Sequence, residues 1–484
     1  MTFQPKKLLA LLLAGLMVLP TVACATSKDD EETKDPNGTQ AVTEEDTGYK
    51  PEIANTKKNY DTDFTVIGTH TIMKWVISDE DSKGDAFEDT LYERAIRLKD
   101  QLGVNLVKKA SGDNEYVNEV LQNVQAGDAA YQMVAAHCHI GTATLMASGA
   151  MYDFAALESV NLDAPYWSHS FMEGLTINDQ YIIGYNDFCL ADAACVVLNK
   201  DLMDEYSIKA PYDDVRNKTW TLEKMNAMAA IVSKDNGDNV WDERDVYGIS
   251  GWGWTDMISL MIGSDIQIVE KNEDDEYVVA YDSNYEQTLN VLTDIEEIYN
   301  AEYGYFWTPG GDRGGVVLPF SKGQTLLFVA ATSSLTGLRD STVRFGILPI
   351  PMYSVSQSDY RSFSWNGVLM VPSVFTNGDP SMVSDAVELL AYYTAPVKTA
   401  FYEDLLGTKL AEAPEDAEML DIVWSTQVTD VGMVTADVGK MTELLYMAPN
   451  LCLNGVETFS SFLKARSKAT NKALKTLFNP KVRK

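Results

Sequence analysis

The chain has 484 residues, 45% of them hydrophobic, and 71 acidic against 38 basic side chains give a formal net charge of −33. That length and apolar content suffice for two or three domains, or one large two-lobed body with a sizeable core. A surface this acidic repels nucleic acid and anionic lipid headgroups, and it suits a neutral or cationic small ligand.

Residues 1–23 read as a secretory leader. Lys6 and Lys7 precede an apolar run, LLALLLAGLMVLPTV, over residues 8–22, and Ala23 stands before Cys24. The run is shorter than the ~20 apolar residues of a spanning helix, and Pro20 interrupts its end. Ala23-Cys24 at the end of such a run resembles the lipobox of bacterial lipoproteins, although Thr21 stands where that box usually has Leu. The resemblance implies cleavage before Cys24 and lipid on Cys24. Residues 24–61 are rich in Asp, Glu, Thr and Lys, so they are expected to be a disordered acidic tether.

Beyond the tether, residues 64–78 are strand-like, with Val66, Ile67, Ile72, Trp75, Val76 and Ile77. Leu91, Ala95, Leu98 and Leu102 recur at helical spacing over 86–102, and Gly103 stops that helix. A strand over 104–107, a helix over 116–124 and a strand over 131–136 follow. Strand–helix alternation implies right-handed crossovers and a mainly parallel sheet. Residues 181–185 and 194–198 read as two more strands. Thr221 reads as the N-cap of a helix over 222–231. Strands over 246–250, 325–329, 345–349 and 367–371 alternate with helices over 287–299 and 382–393, and a basic helix over 459–478 closes the chain. Cys138, Cys189, Cys195 and Cys452 show no CxxC spacing and read mainly as buried small apolar residues, a bridge between Cys189 and Cys195 being the alternative.

These landmarks, in this order, resemble the family 1 extracellular solute-binding proteins, the sugar-type receptors of ATP-binding-cassette importers. The resemblance rests on Leu102-Gly103-Val104, Ala126-Gly127-Asp128 with Tyr131, Asn199-Lys200-Asp201, Thr219-Trp220-Thr221 with Leu222-Glu223, Phe320 to Thr325, Phe345-Gly346 with Pro349, and Gly407-Thr408-Lys409. The family's usual Pro after Tyr185 is absent, as is the one after Gly407. The family implies an α/β, two-lobed periplasmic-binding-protein-like fold of type II, with ligand held between lobes that the chain links three times. By that analogy the crossings fall near Leu190, Asn366 and Gly407. Residues 62–190 with 367–407 then form lobe one, and 191–366 with 408–484 lobe two. It also implies a monomer that delivers solute to ABC permease subunits from the outer face of the cytoplasmic membrane.

The segment Gly251-Trp252-Gly253-Trp254-Thr255-Asp256 follows a predicted strand. Sugar rings expose C–H faces that stack on indole, so Trp252 and Trp254 are candidate binding residues; packing aromatics are the alternative. Asn186 and Asp187 near the first crossing could bind hydroxyls, or form an Asx turn. Trp365 and Asn366 sit at the second crossing. His137 and His139 follow the third strand, where a neutral imidazole can donate and accept. As metal ligands, His137, Cys138 and His139 lack a fourth partner, so no metal and no cofactor is expected. Asn236, Asp238, Asp242 and Asp245 have EF-hand-like spacing, but Lys234 occupies the first ligand position and Asn239 the glycine position, which leaves a plain polar loop. Neither HExxH, nor GxSxG, nor a phosphate loop is present. A binding protein is therefore expected rather than an enzyme. The alternatives are a secreted carbohydrate-active enzyme and a surface glycan or peptide receptor not coupled to transport.

Overall fold

The computed structural model describes residues 49–78, 86–113, 115–189, 192–253, 255–306, 320–338, 341–365, 367–407 and 414–479. The leader, Cys24 and most of the tether lie outside them, as do Leu190, Trp254 and Asn366. Residues 44–484 form one compact unit.

The folded chain begins earlier than composition suggests. Ile53 is buried, and the exposed stretch around it is pinned where Lys58 Nζ and the Tyr60 hydroxyl both reach Asp385, each at 2.6 Å. Asp385 is buried, so the expected tether over 24–61 is corrected at its end: residues 49–61 belong to the body.

Strand β1 (Thr62–Thr69), helix α1 (Ala86–Leu102), β2 (Val104–Ser111), α2 (Glu115–Ala126) and β3 (Met133–His137) alternate as the periodicity predicts. β1 lies between β2 and β3 and is parallel to both. A seven-residue helix, α3 (Thr142–Ser148), follows β3 and packs on α2. The expected strand over 64–78 is only half right, because β1 ends at Thr69 and residues 70–73 make a helical turn. The apolar run continues past the strand because this turn is itself buried: Ile72, Met73, Trp75 and Val76 all lie inside. Arg94 on α1 holds it. Its guanidinium is fully buried, donates to the carbonyls of Trp75 (2.5 Å) and Val76 (2.8 Å) and to Thr394 (3.0 Å), and stacks 4.2 Å from Phe188.

Strand β4 (Ala194–Asn199) is buried along its whole length, which is why it reads as an unbroken apolar run. Asn199 caps α4 (Lys200–Tyr206), and the Thr221 hydroxyl, the predicted N-cap, caps α5 (Leu222–Ala229) through the Lys224 amide. Then come β5 (Val246–Gly251), α6 (Thr255–Gly263), the hairpin β6 (Val269–Lys271) and β7 (Tyr277–Val279), α7 (Tyr285–Asn300), β8 (Gly304–Phe306), β9 (Thr325–Ala331) and β10 (Phe345–Pro349). A second, six-stranded sheet runs β10-β4-β9-β5 to an edge strand at Ser233–Lys234, with β8 parallel to β5. β4 is antiparallel to both its neighbours, so this sheet is mixed rather than mainly parallel. The physical reason is that β4 enters from the first sheet instead of returning through a crossover helix.

Strands β11 (Ser362–Phe363) and β12 (Gly367–Met370) follow; β12 returns to the first sheet, antiparallel to β3. Helices α8 (Ser381–Tyr392) and α9 (Ala395–Gly407) pack on α1, whereas α10 (Pro414–Ser425) packs on β10. β13 (Gln427–Val428) pairs with β11, and the chain ends in α11 (Phe459–Phe478), which packs on β7. Residues 181–185 do not form the expected strand; they touch β12 through one bridge, Gly184 to Leu369. All four described cysteines are free and buried. The acidic loop at 235–245 spends its carboxylates on itself: Asp245 accepts the amides of Asn236 and Asp242, and Arg244 pairs with Asp238 and Asp242.

Candidate binding site

The two sheets are joined by a strap of hydrogen-bonded backbone. Ala193 bridges Ser364, the Trp365 amide donates to the Asp192 carbonyl (3.1 Å), and Ser364 donates to the Val428 carbonyl (3.0 Å). The Asp192 carboxylate completes the strap by accepting the Ser333 amide (2.8 Å) and hydroxyl (2.6 Å). Directly above this strap lies a cavity of about 300 Å³, with walls from both sheets. That size falls at the lower end of the usual small-molecule range.

The first sheet contributes the ends of two strands. Thr71, Lys74 and Trp75 come from the turn after β1, and His137 and His139 from the end of β3. Trp75 is fixed by edge contacts with Phe87 and Phe401, and the Lys74 ammonium sits 4.4 Å above its ring. His137 and His139 meet edge to face at 4.4 Å, and His139 packs against Trp365 at 5.5 Å. Burial pushes His137 down to about 3, helped by His139, and His139 down to about 4. Both imidazoles are therefore neutral at physiological pH. His139 Nδ1 is buried with no hydrogen-bond partner among the described residues, so it has capacity for a ligand hydroxyl. His137, Cys138 and His139 hold their ligand atoms within 4.8 Å of one another, but burial pushes the Cys138 thiol up to about 12. The cluster offers three groups, two imidazoles and one protonated thiol, where structural zinc takes four, with thiolate sulfur.

The second sheet contributes the loop after β5, together with Ala330 and Ala331 at the end of β9 and Ser333 and Ser334 after it. Trp252 is 45% exposed and lines the cavity. Its loop is shaped by two glycines. Gly253 adopts φ +72°, and a Cβ on Gly251 would stand 2.0 Å from the Asp256 carboxylate. Asp256 is buried beneath the loop, accepting the Trp252 amide and the Thr255 hydroxyl (3.0 Å). Burial pushes Asp256 up to about 7, against the pull of these donors and the Gly253 amide.

Of the residues singled out from sequence, the structure thus brings Trp252, His139 and Trp365 together, with His137 beside them. Asn186 and Asp187 do not line this cavity. Asn186 Oδ1 accepts the Phe188 amide (2.9 Å), the Asx turn weighed from sequence, and Asp187 pairs with Lys398 at 2.8 Å. Trp254 and Asn366 fall outside the described residues. Sequence reasoning missed Thr71, Lys74, Trp75, Asp192, Ser333 and Ser334 as site residues. One signal was available: ligands of open α/β sheets gather at the carboxyl ends of strands, and residues 70–75 and 332–334 follow β1 and β9.

The model of the bacterial extracellular solute-binding protein family matches residues 95–419. The chain belongs to that family. No curated protein sequence is detectably similar to this solute-binding protein. Solved structures with the same two-lobed fold include an ABC substrate-binding protein from Listeria monocytogenes in complex with cycloalternan, at 14% identity and a TM-score of 0.55, covering 84% of this chain and 98% of that one. The cyclic alpha-maltosyl-1,6-maltose binding protein of Arthrobacter globiformis gives 14% identity and 0.57, over 86% and 99%. UgpB of Mycobacterium tuberculosis in complex with glycerophosphocholine gives 16% and 0.57, over 87% and 98%.

Asp256 makes the pH response of the solute-binding protein testable. Its folded value, about 7, lies above the 3.8 of a free carboxyl. Between these values the folded protein keeps a proton that the unfolded chain has released, so this group's contribution to stability falls as pH rises. Asp256→Asn removes that dependence. Relative to wild type, the variant's unfolding free energy is expected to improve from about pH 4 to pH 7, by up to about 4 kcal/mol, and to be level above that. Urea unfolding across the range measures it; parallel pH profiles for the two proteins would exclude the assignment.

Proposed function

We propose that this protein captures a neutral, hydroxyl-rich solute, an oligosaccharide, in the cavity between its lobes and delivers it to an ABC-type importer. The observation that carries the reading is the partly exposed indole of Trp252 facing a cavity that also holds Trp75, Trp365 and two neutral imidazoles. Rings stack on C–H faces, and imidazole and serine groups match hydroxyls in both hydrogen-bonding senses. Two of the named ligands of the similar structures, cycloalternan and a cyclic maltosyl-maltose, are of the same class, whereas glycerophosphocholine is a charged phosphodiester. The lobes are read as residues 62–190 with 367–407 and 191–366 with 408–484, and the protein as a monomer without metal or catalytic residues. Lipid on Cys24 holds it at the outer face of the cytoplasmic membrane.

A fatty-acid analogue fed to cells is expected to label the wild-type protein and not Cys24→Ser, which is shed into the medium because stable anchoring needs the attached chains. Equal labelling of both proteins would remove the anchor.

A panel of neutral oligosaccharides read by thermal shift is expected to contain one that raises the melting midpoint, since a ligand that binds only the folded form stabilises it. Trp252→Ala should weaken that sugar about thirtyfold, or ~2 kcal/mol, and leave the unliganded midpoint nearly unchanged because the ring is half exposed. Normal binding by the variant would place the site elsewhere, and turnover of the sugar would favour an enzyme.

A further inference from the structure

The lobes also meet away from the cavity. Helix α3, which packs on α2 of the first sheet, presents the amides of Ala143 and Thr144 to a carboxylate from the other body. That carboxylate is Asp437, placed between a helix at Val431–Val434 that packs on β6 and one at Met441–Leu445 that packs on α11. Asp437 accepts Ala143 N–H at 3.1 Å, Thr144 N–H at 2.7 Å and the Thr144 hydroxyl. A second contact in the same region joins the Tyr277 hydroxyl on β7 to the Gly174 carbonyl.

The surroundings show what kind of contact this is. Asp437 and Thr144 are both exposed, and a cavity of about 410 Å³ lies beside them, lined by Thr144 and Ala147 from one body and by Asp437, Val438, Ala473 and Thr476 from the other. Water reaches Asp437 and Thr144, so it can replace the hydrogen bonds between them when the bodies separate, whereas Ala143 is buried. A single exposed contact of this kind is weak, and weakness is what a reversible contact needs. Asp437 does not line the ligand cavity.

We propose that Asp437 is a closure latch: by gripping α3 from the opposite lobe it sets the fraction of molecules that are closed, and so the affinity for solute, without touching the solute. This rests on the reading of the cleft as the capture site. When only the closed form binds tightly, apparent affinity scales with the closed fraction. Asp437 is therefore a positioning residue, and its effect falls on the lobe equilibrium.

The test uses spin labels on Asp128→Cys and Lys464→Cys, exposed positions on the two bodies, in the mature protein without ligand and with Cys24→Ser so that position 24 takes no label; the four described native cysteines are buried. Asp437→Ala is expected to lower the ratio of short to long inter-label distances about fivefold. Thr144→Val, which removes only the hydroxyl arm, should shift it the same way by less. The sugar found by thermal shift should then bind Asp437→Ala about fivefold more weakly. Distance distributions that coincide with the wild type in both variants overturn the latch. If Asp437→Ala fails to fold, Thr144→Val decides alone. A panel without any binding sugar leaves the distance measurement intact, so failure of the latch and failure of the capture reading are separable.

Discussion

The strap at residues 192–193, 362–365 and 426–429 is the constraint on which the rest depends. Each segment supplies a backbone hydrogen bond to the next, and the Asp192 carboxylate fastens the start of the turn after β9 to the same point. Because the segments are bonded to one another, they hold the two sheets together at one place. The same bonding puts Asp192 and Trp365 on the floor of the cavity. Strap and cavity therefore share residues, Asp192 and Trp365.

The chemistry of the cavity follows from burial more than from composition. The chain is strongly acidic, yet its two cavity carboxylates are occupied by protein donors: Asp192 by Ser333, and Asp256 by the Trp252 loop. The two imidazoles are held neutral by desolvation. Surface charge and site charge are thus decoupled. The acidic exterior repels anionic surfaces, while the cavity presents aromatic faces, two neutral imidazoles and the Lys74 ammonium.

Much of this was legible in the sequence. The helix over 86–102, the cap at Thr221 and the closing helix over 459–478 depend on local periodicity and capping, which a short window contains. The errors fall where local pattern and tertiary burial part company. Ile72, Met73, Trp75 and Val76 are apolar because they lie in a buried turn held by Arg94, and such a turn shares its apolar residues with a buried strand. Trp252, His139 and Trp365 were visible as residue types at strand ends. Lys74, Trp75 and Asp192 were not, because nothing local distinguishes a lysine over a ring, or an aspartate capping a distant turn, from ordinary surface charge.

Crystals grown with the most stabilising oligosaccharide give the most direct measurement of whether the cleft above the strap is the capture site. Density for a sugar ring is expected between the lobes, stacked on Trp252 and within hydrogen-bond distance of His139. A sugar bound outside that cavity, with the cavity left to solvent, would contradict it.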